Sequence, residues 1–158
     1  MKIIIYGAGG IGSVVGGHLW RAGHAVILIG RDRHVSAIHE NGLKLVTPAG
    51  IHFLRIPAVT DPEKIDFGPD DVIFLCMKGQ DTEKTLVDLS KIKIDLPVFC
   101  LQNGIRNEEI AARYFQKIYG VMIRIGAEYL SAGEVTSRRD PPGWLIIGRY
   151  PQGSDEVA

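Results

Sequence analysis

Lys2–Tyr6 is a short apolar run that breaks directly into Gly7-Ala8-Gly9-Gly10-Ile11-Gly12, the spacing G-x-G-x-x-G. Each glycine in such a bend has a mechanical task. Gly7 permits the sharp turn out of a strand, Gly9 removes a Cβ where a pyrophosphate would approach, and Gly12 lets the following helix pack closely on a sheet. That helix is legible in Ile11, Val14, Val15 and Leu19, which recur at three- and four-residue steps with His18 beside them. Its unbonded N–H groups and positive dipole end point back at the bend. The next apolar run, Ala25–Ile29, arrives about 20 residues on, where a dinucleotide-binding unit needs its second strand. Gly7, Ala8, Gly9, Gly10, Ile11 and Gly12 are therefore expected to cradle the phosphates of a dinucleotide. The bland alternative, a glycine-rich turn without a ligand, leaves this order of strand, bend, helix and strand unexplained.

Three further runs, residues 72–77, 97–101 and Ile118–Ile125, are apolar on both faces, as strands in a sheet covered on each side must be. Helical spacing separates them. Asp81 is placed to cap a helix that turns Leu86 and Leu89 inward and Glu83 and Lys84 outward, and Asn107 to cap another that buries Ile110, Ala111 and Tyr114. The fold class expected is α/β, a Rossmann-type, doubly wound, mostly parallel sheet. A β-hairpin region is added to it. One hairpin joins residues 43–46 and 51–56 around Pro48-Ala49-Gly50, and a second strand-turn-strand joins residues 133–137 and 144–147 through Pro141-Pro142-Gly143, with Trp144 anchoring it to the sheet. Residues 1–150 form one domain. Residues 151–158, with nothing evident to bury, read as a tail or the start of a linker.

The chain has 158 residues, with 18 Lys plus Arg against 18 Asp plus Glu and hence no net charge. Proteins that coat nucleic acid or anionic membranes carry a basic excess, so neither partner is expected. No apolar run approaches the roughly 20 residues that cross a bilayer, and the N-terminal run is too short for a secretory signal. Cys76 and Cys100 sit singly in apolar runs, which is neither a disulfide framework nor a metal spacing. His18, His24, His34, His39 and His52 are scattered, without an H-E-x-x-H pair, so no metal is expected. There is no G-x-S-x-G and no base beside either thiol, which leaves nucleophilic hydrolysis without a foothold. A cytoplasmic location follows as the expectation.

The second strand ends Ile29-Gly30-Arg31-Asp32-Arg33. A site for NAD(H) normally puts an acidic side chain at this tip to hold the ribose 2′-hydroxyl. Gly30 instead leaves room for a 2′-phosphate, and the Arg31 guanidinium is suited to grip one; Asp32 is better placed to cap the next helix, and Arg33 reads as a solvated cation. NADP(H) is the cofactor expected. Two more clusters leave the C-terminal ends of predicted strands, where open α/β sheets bind ligands: Lys78-Gly79-Gln80-Asp81-Thr82 and Leu101-Gln102-Asn103-Gly104. A lysine there can donate to a carbonyl or carboxylate, and an asparagine offers an amide both a donor and an acceptor. Singly, each also reads as an ordinary loop cation or turn dipeptide.

The glycine bend, Arg31, Lys78-x-x-Asp81-Thr82, Leu101-Gln102-Asn103-Gly104 and the later Gly133-Glu134-Val135 … Ile146-Ile147-Gly148 pattern together resemble ketopantoate reductase (2-dehydropantoate 2-reductase). The resemblance covers essentially the whole chain. It implies that Gly7–Gly12 hold the pyrophosphate and Arg31 the 2′-phosphate of NADPH, that Lys78 and Asn103 lie at the nicotinamide and substrate end in supporting roles, and that the substrate is a small 2-oxo acid. It also implies a second, helical domain that carries the proton-donating lysine and the substrate-carboxylate groups. No residue of this chain matches that lysine, so no catalytic residue is assigned and the chain is expected to be catalytically incomplete without a C-terminal domain or partner chain. A homodimer is the assembly expected from the apolar surface such a missing domain would leave. Two rival readings share these residues: an NADPH-dependent reductase of another small 2-oxo acid or carbonyl compound, and a non-enzymatic NADP(H)-sensing or protein-binding module.

Overall fold

The structure is a computed structural model that describes residues 1–92 and 95–157. In chain order the elements are β1 (Lys2–Tyr6), α1 (Gly10–Arg21), β2 (Ala25–Ile29), α2 (Asp32–Asn41), β3 (Leu43–Thr47), β4 (Gly50–Leu54), β5 (Ala58–Val59), β6 (Val72–Leu75), α3 (Thr82–Ser90), β7 (Val98–Cys100), α4 (Asn107–Ala111), β8 (Ile118–Ile125), β9 (Ala127–Ser131), β10 (Glu134–Ser137) and β11 (Gly143–Arg149). Short 3-10 turns at Pro62–Lys64 and Gly79–Asp81 precede β6 and α3.

A seven-stranded sheet runs in the order β11-β8-β7-β6-β1-β2-β5. Its strands are parallel except β11, which pairs antiparallel with β8 along the whole of its length. Alternate residues of β1 serve opposite layers. Ile3 and Ile5 meet Val14 and Val15 of α1, whereas Ile4 turns to Ile29 and Ile65. On that second side α3, α4 and the turn that follows α4 cover β6, β7 and β8 with Leu86, Leu89, Ala111 and Phe115. Leu86 and Leu89 are wholly buried, worth about 2 kcal/mol each in apolar area removed from water.

A smaller sheet, β4-β3-β10-β9, lies on the far side of α1. The helix is thus held between two sheets, and its glycines explain how. A Cβ on Gly16 would come within 2.8 Å of Leu28 in the large sheet, and one on Gly17 within 3.1 Å of Leu45 in the small one. His34 of α2 ties these layers together. Its Nδ1 accepts from the Gly133 N–H at 2.8 Å, and the neutral ring's Nε2–H donates to Ser13 Oγ of α1 at 3.2 Å.

Several expected details are corrected. The strands β6 and β7 are shorter than residues 72–77 and 97–101, because the chain turns at Cys76 and Leu101 to form the loops of the rim. Residues 133–137 and 144–147 do form strands, but not with each other: β10 pairs with β9 and β3, while β11 pairs with β8. Trp144 is therefore not a hairpin anchor; it is half exposed beneath the Arg124 guanidinium, 5.2 Å from its ring centre. Asp32 and Asn107 are the first residues of α2 and α4 rather than their caps, and Asp81 makes no capping hydrogen bond. Asp140 is half-buried and ion-paired with Arg21 at 2.9 Å. Residues 150–157 are tied down as well: Tyr150 packs on the α3–α4 core, and the Tyr119 hydroxyl donates to Asp155 at 2.9 Å.

Candidate functional site

Because β2, β1, β6 and β7 are neighbouring parallel strands, their C-terminal ends share one edge of the sheet. Arg31, the glycine bend, Lys78 and Asn103 leave those four ends in that order. Adjacent strands are about 4.8 Å apart, so this rim extends roughly 14 Å from Arg31 to Asn103. Arg31, Lys78 and Asn103 are all exposed.

The three motif glycines are explained in different ways. Gly7 has φ of +104°, and a Cβ there would collide with the Met77 backbone nitrogen. A Cβ on Gly12 would collide with the Gly7 carbonyl oxygen and stand 2.9 Å from Ile5 Cγ2. Both positions are glycine because the protein's own atoms require it. A Cβ on Gly9 would meet nothing within 4 Å, and Gly9 is exposed. The bend's first amides are used internally: Gly7 and Ala8 donate to Ile29 O, and Gly9 to Gly7 O. α1 then opens with no side-chain cap and no acidic residue in its first turn, so the Gly10, Ile11 and Gly12 amides have no intrahelical acceptor. A backbone concavity with free donors and no crowding is an anion cradle.

Ala8 and Ile11 belong to this cradle through their backbone alone. Ala8 is buried against Gly30, and Ile11, in the first turn of α1, packs on the core. Gly30 is also corrected: a Cβ there would stand 3.1 Å from Ala8 Cβ, so its smallness serves internal packing instead of clearing space for a phosphate. The small sheet, which the sequence did not place here, reaches the bend too, with Tyr129 N 3.5 Å from a Cβ on Gly10.

Arg31 opens a cleft of about 310 Å³ lined also by Tyr6, Asp81, Lys84, Thr85 and Asp88. Burial, reinforced by Asp88 and Asp61, holds the Tyr6 hydroxyl above its ordinary pKa, so it remains a neutral donor. Two cations and two carboxylates thus share the end of the rim nearest β2. At the other end, Gln102 Nε2 donates to Thr82 Oγ1 at 2.6 Å and Thr82 donates to Asn107 Oδ1 at 2.9 Å. Desolvation pushes the Cys100 thiol up to about 12 and the Cys76 thiol higher, so neither is a nucleophile. Among the described residues no three His, Cys, Asp or Glu side chains gather as a metal would need, and no helix is long and apolar enough to cross a membrane.

A doubly wound sheet with a glycine bend at the tip of its first strand, flanked by loops from the adjoining strand ends, defines a Rossmann-type domain. The chain belongs to the ketopantoate reductase family: the family model described as "Ketopantoate reductase PanE/ApbA" matches residues 3–152. It is 40% identical over 156 residues to the 2-dehydropantoate 2-reductase of Pyrococcus abyssi, a match that covers 99% of this chain and 50% of the relative. Among solved structures it is similar to the PanE/ApbA family ketopantoate reductase of Ralstonia eutropha JMP134, with a TM-score of 0.85, 31% identity, and coverage of 97% and 51% of the two chains. It is also similar to D-mandelate dehydrogenase in a ternary structure with NADH and anilino(oxo)acetate, with a TM-score of 0.77, 35% identity, and coverage of 86% and 45%. The chain spans about half the length of the relatives it matches.

Proposed function

We propose that this chain is the NADP(H)-binding part of a ketopantoate-reductase-like oxidoreductase that reduces 2-dehydropantoate to pantoate. The observation that carries the reading is Gly9: packing accounts for Gly7 and Gly12, and a closely approaching ligand accounts for a glycine in open space between them. NADPH, when bound, supplies the hydride. The chain's own residues hold and orient it. The Gly10, Ile11 and Gly12 amides donate to the pyrophosphate, Arg31 takes the 2′-phosphate as a charge-assisted pair, and the cleft beside Tyr6 and Lys84 admits the adenosine end. Lys78 and Asn103 serve the nicotinamide and substrate end, where an ammonium steadies a carbonyl oxygen and an amide pairs with an amide. No group along this rim is assigned as the proton donor. The proton that must reach the alkoxide oxygen comes from the further length the relatives possess, in the form of a second domain or a partner chain. A cytoplasmic setting and a homodimeric assembly belong to the same proposal.

The test is a calorimetric titration of the chain with NADPH and NADH in parallel. Arg31→Ala should weaken NADPH about 10- to 100-fold, the 1.5–3 kcal/mol of a charge-assisted hydrogen bond, and NADH less than about twofold. Gly9→Val should abolish both. Equal losses for the two cofactors in Arg31→Ala would remove the 2′-phosphate assignment, and an unaffected Gly9→Val would remove the cradle. A second reading, an NADH-dependent reductase of another 2-oxo acid, is favoured by the carboxylates of Asp81 and Asp88 facing Arg31 across the cleft. Acidic groups at that end suit a ribose hydroxyl, and NADH binding tighter than NADPH would select this reading.

A further inference from the structure

The geometry points to Gln102, Thr82 and Asn107 as a buried positioning relay that fixes the Lys78 loop against the Asn103 loop and so sets affinity for the nicotinamide end of the cofactor. The inference rests on the cofactor reading above. Lys78 and Asn103 are exposed, and neither side chain has a hydrogen-bond partner among the described residues. Their placement therefore depends on what holds their loops. Beyond the ends of β6 and β7, a polar chain crosses between the two. Gln102 Nε2 donates to Thr82 Oγ1 at 2.6 Å and touches Met77 Sδ at 3.2 Å; Thr82 Oγ1 donates to Asn107 Oδ1 at 2.9 Å; Asn107 Nδ2 donates to Asn103 O at 3.3 Å. Met77 and Thr82 flank Lys78, whereas Gln102 and Asn107 flank Asn103, so the chain closes a loop-to-loop bridge. Asn107 Oδ1 also lies against the backbone of Gly79, 3.3 Å from where its Cβ would stand.

The relay is buried: Thr82 is 0% exposed, Asn107 5% and Gln102 7%. Stability alone does not require this arrangement, because apolar groups of the same shape on both sides would do about as well. What a buried polar chain adds is direction. The Thr82 hydroxyl accepts on one side and donates on the other, a double role that valine, of equal shape, cannot fill. Breaking the relay would leave the Thr82 hydroxyl and the Asn107 amide buried without partners, as Gln102 Oε1 already is, so one relative arrangement of the loops is favoured.

The test compares NADPH with 2′-phospho-ADP-ribose, the same molecule without nicotinamide, in titrations of the chain carrying Thr82→Val or Thr82→Ser. Thr82→Val is expected to weaken NADPH about tenfold while 2′-phospho-ADP-ribose changes less than about twofold, and Thr82→Ser to restore NADPH to within about twofold of the unsubstituted chain. If Thr82→Val does not fold, Asn107→Ala, which cuts the link to Asn103 O, is expected to show the same split. Equal losses for the two ligands, or unchanged NADPH affinity with a lowered melting temperature, would reduce the relay to a fold-stabilising contact and overturn the proposal. If the unsubstituted chain binds neither ligand, the cofactor reading itself has failed and the relay falls with it.

Discussion

Gly9 and Gly12 stand three residues apart and should respond oppositely to a single methyl group. Gly12→Ala puts a carbon into the Gly7 carbonyl and against Ile5. We expect it to lower stability by about 2 kcal/mol or more in urea denaturation, the range of core overpacking. Gly9→Ala puts the same carbon into open space, so stability should change by less than about 0.5 kcal/mol while NADPH affinity falls. His34 gives a second prediction at this scale. Burial holds its pKa below the ordinary value of 6.5. As the pH falls below about 6.5, the unfolded imidazole takes a proton that the folded one refuses, so stability is fully present above that pH and is lost as acid is added. Thermal melting between pH 8 and 5 should show this decline, and His34→Gln should lessen it, leaving the part that His18, also lowered by burial, contributes. The motif spacing made the tasks of Gly7 and Gly12 legible in the sequence. Gln102, Thr82 and Asn107 were not assigned as a unit, because Thr82 stands 20 and 25 positions from its two partners, a separation that leaves no periodic trace.

At the level of elements, the principal helix-and-strand alternation was legible because its runs are apolar on both faces, and β1, β2 and β8 have the expected bounds. The pairing of the later strands was not. Two strands flanking a Pro-Pro-Gly turn suggest a hairpin, yet β11 is drawn to the open edge of β8 and β10 to β3. What hid this was β9: Ala127–Ser131 is half-polar and lies mostly exposed, so nothing in its pattern marked it as the true partner of β10. The correction has a measurable consequence at Trp144. Half exposed and held chiefly by Arg124, it should cost about 1–2 kcal/mol when replaced by alanine, less than the 3–5 kcal/mol of a core tryptophan. Chemical denaturation of Trp144→Ala decides between surface contact and anchor.

Across the whole molecule, one rim gathers the ends of four adjoining strands, and the chain's last described residues lie against β8. The Tyr119–Asp155 contact joins those residues to β8, and Tyr119→Phe should cost about 1 kcal/mol and speed proteolytic cleavage after Arg149. The chain mixed with NADPH and 2-dehydropantoate should turn over little, as absorbance at the NADPH band would show; robust oxidation would place a proton donor within these residues. The reversed direction of β11 bears on the same point. It enters beside Ile125, five residues beyond Gly120, the register partner of Cys100 at the rim, and leaves beside Tyr119, one residue short of that level. Six steps of antiparallel strand carry the backbone about 20 Å, down to the level at which the parallel strands end. Sequence that follows β11 therefore sets out beside the level of the rim, two strands from β7, and needs no climb along the flank of the molecule to reach the cleft.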